Sequence, residues 1–246
     1  MISCDTDAGM FARQMTLPGW TPVHQDRLAL STVLVAGVGG IGGVVAQYLA
    51  MAGVKRLILV HSGKLELADL NRQTLMGFSA IGRSRVREAA NRLHEQVPEV
   101  DIRTLDQPVD AQLTDIAGTA DLLIDARLSF PERFALNRIA CLQSKRLIVG
   151  AMNAMEGFVL NVDPKVTACL RCVFPEEDPD WEPLGFPVLG AVSGLIGAMV
   201  ALEALRTLSG YGQPPVGGTM RFFDGTDSGF REYVVRRVSG CPDCGS

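Results

Sequence analysis

Apolar and polar positions alternate along the chain in blocks that predict strands and helices in turn. Between residues 33 and 150, short runs rich in Val, Ile and Leu are separated by amphipathic segments of helical length. This alternation favours an α/β fold with a parallel, doubly wound sheet. The expected strands are 33–37, 56–61, 100–105, 121–125 and 146–150, and the expected helices are 40–52, 82–96 and 131–144.

The pattern changes after residue 150. A strand at 156–162 is followed by a loop at 175–187 that is rich in Pro and acidic residues, and then by an apolar helix at 188–208. Two more strands, at 219–223 and 230–238, predict a C-terminal antiparallel extension of the sheet. We therefore expect one Rossmann-like domain over 1–246, with an irregular or weakly helical N-terminal arm at 1–32 and two halves at 33–150 and 151–246.

Composition and charge narrow the class of protein. The chain is 47% hydrophobic and 20% charged with a net charge of -4, which gives no electrostatic reason to expect a nucleic-acid partner. The N-terminus lacks the basic and apolar regions of a secretory signal. The apolar run 188–202 is followed by Glu203 and Arg206 and is shorter than a membrane span, so we expect a buried core helix. These features predict a cytoplasmic protein with no membrane partner.

A glycine-rich turn follows the first expected strand. Gly37, Gly39 and Gly42 permit a tight turn and a close approach of the backbone to phosphate, and the helix that follows directs free N–H groups at an anion. This marks 33–150 as a nucleotide-binding half. Dinucleotide-binding folds place an acid for the ribose at the end of the second strand, where this chain has His61. Ser62 and Lys64 nearby keep NADP open as the ligand.

Two C-x-x-C pairs lie in the C-terminal half. Together they can supply four thiolates to one zinc ion, and such a closed site is structural because it leaves no position for water or substrate. A redox pair or two disulfides are the alternatives. Neither pair is expected to open a helix after a strand, and a cytosolic setting disfavours disulfides. Cys141 is expected in the core and Cys4 as a free thiol. The expected zinc ligands are Cys169, Cys172, Cys241 and Cys244.

Several further motifs occur in a fixed order with these features. They are Ala12-Arg13-Gln14, the glycine loop with Gly40, Asn71-Arg72-Gln73, Gly82-x-x-x-Val86, Asp125-Ala126 with Arg133 and Asn137, Met155-Glu156-Gly157 and Ala201-Leu202-Glu203-Ala204. The ordered set, with the paired cysteines, resembles the ThiF/MoeB/HesA adenylyltransferases, which are relatives of the ubiquitin-activating enzymes. The resemblance covers nearly the whole chain.

The resemblance implies ATP as the cofactor. Members of this family adenylate the C-terminal glycine carboxylate of a small ubiquitin-like sulfur carrier, or sometimes that of another peptide or protein, and release pyrophosphate. They are usually dimers, so a homodimer or a heterodimer with a homologue is expected. The resemblance places Gly39 and Gly40 beneath the phosphates and Arg72 upon them, and it directs Arg13 into a partner subunit's site. The planar guanidinium suits this role because it pairs two phosphate oxygens at once.

The chain departs from the family pattern at four positions. His61 replaces the ribose acid, Asp69 replaces an Asn, Arg85 replaces a Lys, and Leu128 replaces the Asp associated with magnesium. Leucine cannot ligate a hard cation, so magnesium is uncertain unless Asp69 or Asp125 substitutes. Asp125 is alternatively a structural acid paired with Arg127, and His61 is either a ligand contact or a surface residue. The loop 175–187 contains no Cys, so we expect no thioester chemistry there.

Three functions remain open: an adenylyltransferase with an altered metal site, a catalytically impaired carrier- or peptide-binding protein or partner subunit, and an NADP-binding protein. The residues expected around the nucleotide are Gly37, Gly39, Gly40, Gly42, His61, Asp69, Arg72, Gln73, Arg85, Asp125 and Leu128. Those expected to act in catalysis are Arg13, Arg72 and Arg85.

Overall fold

The computed structural model describes residues 7–164, 166–177, 187–213 and 217–245. Eight strands form one sheet. The strands are β1 Thr32–Ala36, β2 Arg56–Val60, β3 Asp101–Leu105, β4 Leu122–Asp125, β5 Leu147–Asn153, β6 Glu156–Val162, β7 Thr219–Asp224 and β8 Gly229–Val234. Their order is β3-β2-β1-β4-β5-β6-β7-β8, and the first five strands of this order are parallel. The last three are added antiparallel, as predicted.

The helices cover both faces of the sheet. Val33 and Val35 of β1 point into one apolar cluster and Leu34 and Ala36 into another, as the period of a strand requires. The helices are α1 Asp7–Met15, α2 Pro22–Leu30, α3 Gly40–Met51, α4 Arg85–Gln96, α5 Thr114–Gly118, α6 Phe130–Gln143, α7 Leu170–Val173 and α8 Gly190–Ser209. Residues of α3, α4 and α8 fill the first cluster, and α6 packs in the second.

The strand order reverses between β1 and β4. The chain leaves β1 towards β2 and β3 on one side and continues with β4 and β5 on the other. The loops at the carboxyl ends of these two strands therefore diverge and leave a crevice, which is where open α/β sheets bind ligands. The topology fixes the position of the site before any side chain is considered.

The arm before β1 is more regular than the sequence suggested. It contains two helices, and Pro22 occupies the first turn of the second, where its missing N–H leaves no hydrogen bond unmade. Helix α4 begins three residues later than predicted, because Gly82 has a positive φ of 81°, which is incompatible with a right-handed helix. The short helices α5 and α7 were not predicted.

Helix α8 corrects one argument from the sequence. It has 20 residues, so by length and composition alone it is the one helix in the described ranges that is able to cross a membrane. The prediction that it is too short was wrong. The prediction that it lies in the core is supported by its packing, because its apolar side chains enter the first cluster. Glu203, which the helix also buries, pairs with Arg206 and Arg221.

Candidate functional site

A cavity of about 590 Å³ opens at the carboxyl ends of β1, β2 and β4. Gly39 and Gly40 form its floor, where α3 begins. Polar side chains from the loop after β2 and from the start of α4 surround it. Most of the residues predicted around a nucleotide line this cavity: Gly39, Gly40, His61, Asp69, Arg72, Gln73, Arg85 and Leu128. Gly37, Gly42 and Asp125 are not among the lining residues.

Two glycines shape the turn without lining the cavity. Gly37 has a φ of 98°, and a Cβ there would lie 2.4 Å from the carbonyl oxygen of Ala126. A Cβ on Gly42 would lie only 1.7 Å from the carbonyl oxygen of Gly37. Both positions therefore require glycine: Gly37 for its positive φ and its contact with the loop after β4, and Gly42 for close packing of α3 against the glycine turn. They hold the N-terminus of α3 where its free N–H groups face the cavity.

His61 is tied to the glycine loop. Its Nδ1 accepts a hydrogen bond of 2.8 Å from the backbone N–H of Val38, so the neutral ring carries its proton on Nε2. Burial, with the nearby charges of Arg127 and then Arg85, holds the pKa of His61 well below its usual value. The reading of His61 as a plain surface residue was therefore wrong. The cavity has a neutral hydrogen-bond donor where related folds have an acid.

The lowered pKa of His61 predicts a pH-dependent stability. In the unfolded chain His61 binds a proton near pH 6.5, whereas in the folded chain it stays neutral to a lower pH. The free energy of unfolding is therefore highest above about pH 6.5 and falls as the pH drops below that value. His61→Asn keeps an acceptor for Val38 but does not titrate. Below about pH 6.5 we expect the free energy of unfolding, measured in urea, to fall less steeply for the variant than for the natural chain, by up to about 1.4 kcal/mol per pH unit. Equal slopes for the two proteins would contradict the assignment.

Asp69 joins the two predicted phosphate-binding arginines. One carboxylate oxygen accepts from Arg72 at 3.1 Å, and the other accepts from Arg85 at 2.6 and 3.1 Å. The backbone N–H of Glu66 donates to the same carboxylate at 3.0 Å. Asp69 is buried, and both guanidinium groups also line the cavity. The carboxylate therefore fixes both arginines in place and offsets part of their charge.

Asp125 is a buried structural acid. Its carboxylate accepts from Arg133 at 3.0 Å and from the backbone N–H of Arg127 at 2.9 Å. The side chain of Arg127 pairs instead with Glu132 at 2.6 Å, so the predicted Asp125–Arg127 ion pair was wrong. Burial raises the pKa of Asp125, while Arg133 acts against that rise. Asp125 does not line the cavity itself, but its ion pair holds Arg133 in the cavity wall.

Asp69 and Asp125 do not present free oxygens for magnesium. Asp69 and Asp125 both have arginine partners, and Leu128 offers no oxygen. Over the described ranges, the four-cysteine group is the only cluster of three or more potential metal ligands. The prediction that Asp69 or Asp125 substitutes for the missing acid finds no support in this geometry, because their oxygens already hold guanidinium groups.

The four predicted cysteines converge. Their sulfur atoms all lie within 4.8 Å of one another, and three pairs are separated by 3.9, 3.7 and 3.4 Å. Tetrahedral zinc with Zn–S bonds of about 2.3 Å would require sulfur separations of about 3.8 Å, so the arrangement fits zinc. Contrary to prediction, Cys169 opens the short helix α7. None of the described cysteines forms a disulfide.

The surroundings of Cys169 favour its thiolate. The amide of Asn137 donates to its sulfur at 3.4 Å. Hydrogen bonding from the Cys141 thiol, the largest influence, together with Asn137, lowers the pKa of Cys169 to about 4 despite its burial. Thiolate is the form that binds metal. Cys141 lies in the core as predicted, and it also borders the four-cysteine centre. Cys4 lies outside the described residues.

The sequence profile of the ThiF family matches residues 11–243. The chain belongs to the ThiF family. The protein HesA, heterocyst, of Trichormus variabilis is 40% identical over 245 residues, covering 98% of this chain and 90% of the relative. The ThiS adenylyltransferase of Escherichia coli is 32% identical over 244 residues, covering 98% and 96%. The predicted resemblance is confirmed.

Solved structures support the ThiF-type fold. Escherichia coli MccB, in a structure with ATP, superposes with a TM-score of 0.84 at 19% identity, covering 96% of this chain and 75% of that one. At that identity the likeness concerns the fold alone. A mostly parallel sheet with antiparallel strands added at its C-terminal side is therefore common to the two chains.

Arg13 stands apart from the cavity of this ThiF-family chain. It is exposed in the last turn of α1 and is not among the residues that line the cavity. Its predicted role in a partner subunit's site stays a prediction. Conversely, Arg127, Arg133, Ser193 and Met152 line the cavity although none was predicted to. Ser193 and Met152 lie on α8 and β5, far along the chain from the glycine loop, and no local pattern marked them.

Gln73 is the remaining polar side chain of the motif. It is buried, lines the cavity, and its Oε1 has no hydrogen-bond partner among the described residues. A buried amide without a partner is costly, and a ligand group in the cavity would relieve that cost. Gln73 therefore keeps an unused hydrogen-bond acceptor beside the cavity.

Proposed function

We propose that this chain is an ATP-dependent adenylyltransferase that activates the C-terminal carboxylate of a small sulfur carrier or of a peptide. The observation that carries the proposal is the cavity in which Arg72 and Arg85, joined by Asp69, face the N-terminus of α3. Relatives include the sulfur carrier protein adenylyltransferase of Thermus thermophilus, 33% identical over 96% of this chain. MccB has been crystallised with ATP and with the MccA peptide.

In this proposal each side chain has one task. The N–H groups that begin α3 and the two guanidinium groups bind the phosphates, and Asp69 keeps both arginines oriented before the nucleotide arrives. His61 donates its Nε2–H to the ribose, and Gln73 binds the ligand through its free amide oxygen or, in the flipped orientation, its amino group. A carboxylate oxygen of the substrate attacks the α-phosphorus, and the bond to the β-phosphate breaks to release pyrophosphate. The arginines stabilise the charge that develops.

Zinc has a structural part in the proposal. Cys169, Cys172, Cys241 and Cys244 would hold it in a closed tetrahedral site, joining α7 to the segment after β8. A closed site supplies no reacting group to the cavity. The proposal also includes association with a second subunit, the same chain or a homologue, whose site would receive Arg13. The proposal places the protein in the cytoplasm.

Leu128 favours a second candidate function. Where the family pattern has an acid, this residue lines the cavity with an apolar side chain, and Asp69 reduces the positive charge available to phosphate. A chain with these features can bind a carrier or peptide, or serve as partner subunit of an active homologue, without turnover. NADP binding has weaker support, because Ser62 lines the cavity with His61 but Lys64 does not.

Nucleotide binding tests the site directly. We expect calorimetry to show ATP binding by the natural chain and binding about 10- to 100-fold weaker for Arg72→Ala, since a hydrogen-bonded charge pair contributes roughly 1.5–3 kcal/mol. Arg92→Ala is the matched control, because Arg92 pairs with Glu95 on the outer face of α4, away from the cavity. Tighter binding of NADP than of ATP would contradict the proposal.

Pyrophosphate exchange separates the two candidate functions. The natural chain and Leu128→Asp are assayed with the sulfur-carrier proteins of the source organism and with a set of short peptides that differ in their C-terminal residue. Exchange by the natural chain supports the adenylyltransferase. Exchange by Leu128→Asp alone, at least about tenfold above the natural chain, supports the binding protein, because a carboxylate at this place restores an oxygen ligand for a cation. Background exchange by both, with every carrier and every peptide, contradicts the adenylyltransferase.

A further inference from the structure

A second cavity of about 300 Å³ adjoins the first, on the side of the sheet that α6 covers. Its wall is almost entirely apolar and comes from β5, β6 and β7 with the starts of α6 and α7. The residues that define it are Leu128, Phe130, Phe158, Phe174, Met220 and Phe222. All six are only half-buried. They keep apolar surface in contact with solvent inside a concave site, which is typical of ligand pockets.

The second cavity is continuous with the nucleotide cavity. Leu128, Arg133 and Met152 line both. The guanidinium of Arg133 is committed to Asp125 at 3.0 Å and to the carbonyl of Gly150 at 3.2 Å, so it adds no free charge to the shared wall. A molecule whose reacting group lies by the phosphates can therefore extend an apolar group past Leu128.

The residue at 128 decides the character of this passage. An acid there would place a charge at the mouth of an apolar cavity, where an apolar side chain of the substrate could not cover it without cost. Leucine removes that charge and extends the apolar wall up to the reaction site. The rings of Phe158 and Phe174, whose centroids are 5.8 Å apart, continue the same wall inward. The cavity thus favours a bulky apolar group and gives a glycine nothing to contact.

We propose that this cavity binds a large apolar side chain, aromatic or branched, on the residue that bears the activated carboxylate. The proposal rests on the proposed function and specifies its substrate class. The substrate is then a peptide or protein whose C-terminal residue resembles Phe or Leu, and not one that ends in glycine. Burial of such a side chain against this wall strengthens binding, because the apolar surface of both partners leaves water.

Two small carboxylates test the proposal without turnover. N-acetyl-Gly-Phe and N-acetyl-Gly-Gly are titrated into the full chain loaded with α,β-methylene-ATP, and binding is followed by calorimetry. We expect the phenylalanine probe to bind at least about tenfold more tightly, as burial of an aromatic side chain predicts. Equal affinities, or a preference for the glycine probe, overturn the proposal.

Variants locate the preference. Phe158→Ser puts a hydroxyl in the cavity wall and is expected to lower the preference for the phenylalanine probe at least about threefold. Phe230→Ser, the same change at an exposed position on β8, is expected to leave it unchanged. Melting temperatures confirm that both variants fold. A preference that survives Phe158→Ser intact overturns the proposal.

A third variant tests whether the cavity is occupied by the chain's own residues rather than by a substrate side chain. Segment 178–186 contains Trp181 and Phe186, and its neighbour Pro187 accepts a hydrogen bond from Ala154, next to Asn153 of the cavity wall. If the phenylalanine probe binds only to Trp181→Ala, the chain's own residues fill the cavity and the proposal is overturned. A preference in binding without pyrophosphate exchange by any variant instead overturns the proposed adenylyltransferase and supports the cavity assignment.

Discussion

Cys172→Ser is expected to abolish the fold of the C-terminal half. A structural zinc site contributes roughly 10–16 kcal/mol of apparent binding energy, which is comparable to the whole stability of a typical domain. The four sulfurs join α7 to residues beyond β8, so loss of one ligand releases both segments. We expect the variant to lose its zinc, measured by mass spectrometry, and its cooperative thermal transition. Treatment of the natural chain with a strong chelator should reproduce both losses.

Cys141→Ala is the matched control for this prediction. Cys141 is buried beside Cys169 but does not belong to the four-cysteine group, so the variant should keep one zinc per chain. Its cost should be no more than about 1–3 kcal/mol, that of a lost hydrogen bond to a buried group. A natural chain that is purified without zinc and is insensitive to chelator would contradict the structural role.

Arg133→Met is expected to lower the free energy of unfolding by about 3–5 kcal/mol at neutral pH, because it leaves the carboxylate of Asp125 buried without its charge partner. Asp125 is fully buried, and Arg133 supplies its only guanidinium contact among the described residues. For a domain of this size the melting temperature should fall by roughly 6–20 °C. Calorimetry or urea unfolding measures the loss.

The pH dependence of this loss identifies its cause. Burial already raises the pKa of Asp125, and removal of Arg133 raises it further. An acid whose pKa is raised in the folded state destabilises the fold only at pH values where the same acid is ionised in the unfolded chain. The loss of unfolding free energy is therefore absent below about pH 3.8 and grows as the pH rises above that value. Arg127→Met, which breaks a partly exposed pair with Glu132, is the control and should cost less. A loss independent of pH would indicate lost packing instead.

The sequence was sufficient for the layout of the fold. The period of apolar residues located the five parallel strands, and the shift in pattern after residue 150 located the antiparallel extension. These features are local, since each strand is a short apolar run bounded by turn residues. The C-x-x-C spacing also carried its own geometry, because each pair spans one edge of a tetrahedron. That the two pairs lie close together in space could be known only from the tertiary structure.

The partners of charged side chains were less predictable. Arg127 is nearer to Asp125 along the chain, yet Arg133 reaches it from one turn into α6. The hydrogen bond from Val38 to His61 joins two loops 23 residues apart, so no local sequence pattern marked the histidine as a partner of the glycine loop. The apolar cavity draws its wall from segments between Leu128 and Phe222, and no single segment looks unusual. Such features arise from tertiary packing, which periodicity does not report.

The separation of the two cysteine pairs has a consequence for biosynthesis. Cys169 and Cys241 lie 72 positions apart, with α8 and the β7–β8 hairpin between them. During translation the first pair emerges several seconds before the second, at the usual rate of about 5–20 residues per second. For that interval the first two cysteines lack the second pair. A single metal ion held by all four cysteines therefore has to be bound after the second pair is made, and we expect the first pair to be most vulnerable to oxidation while the ribosome is still at work.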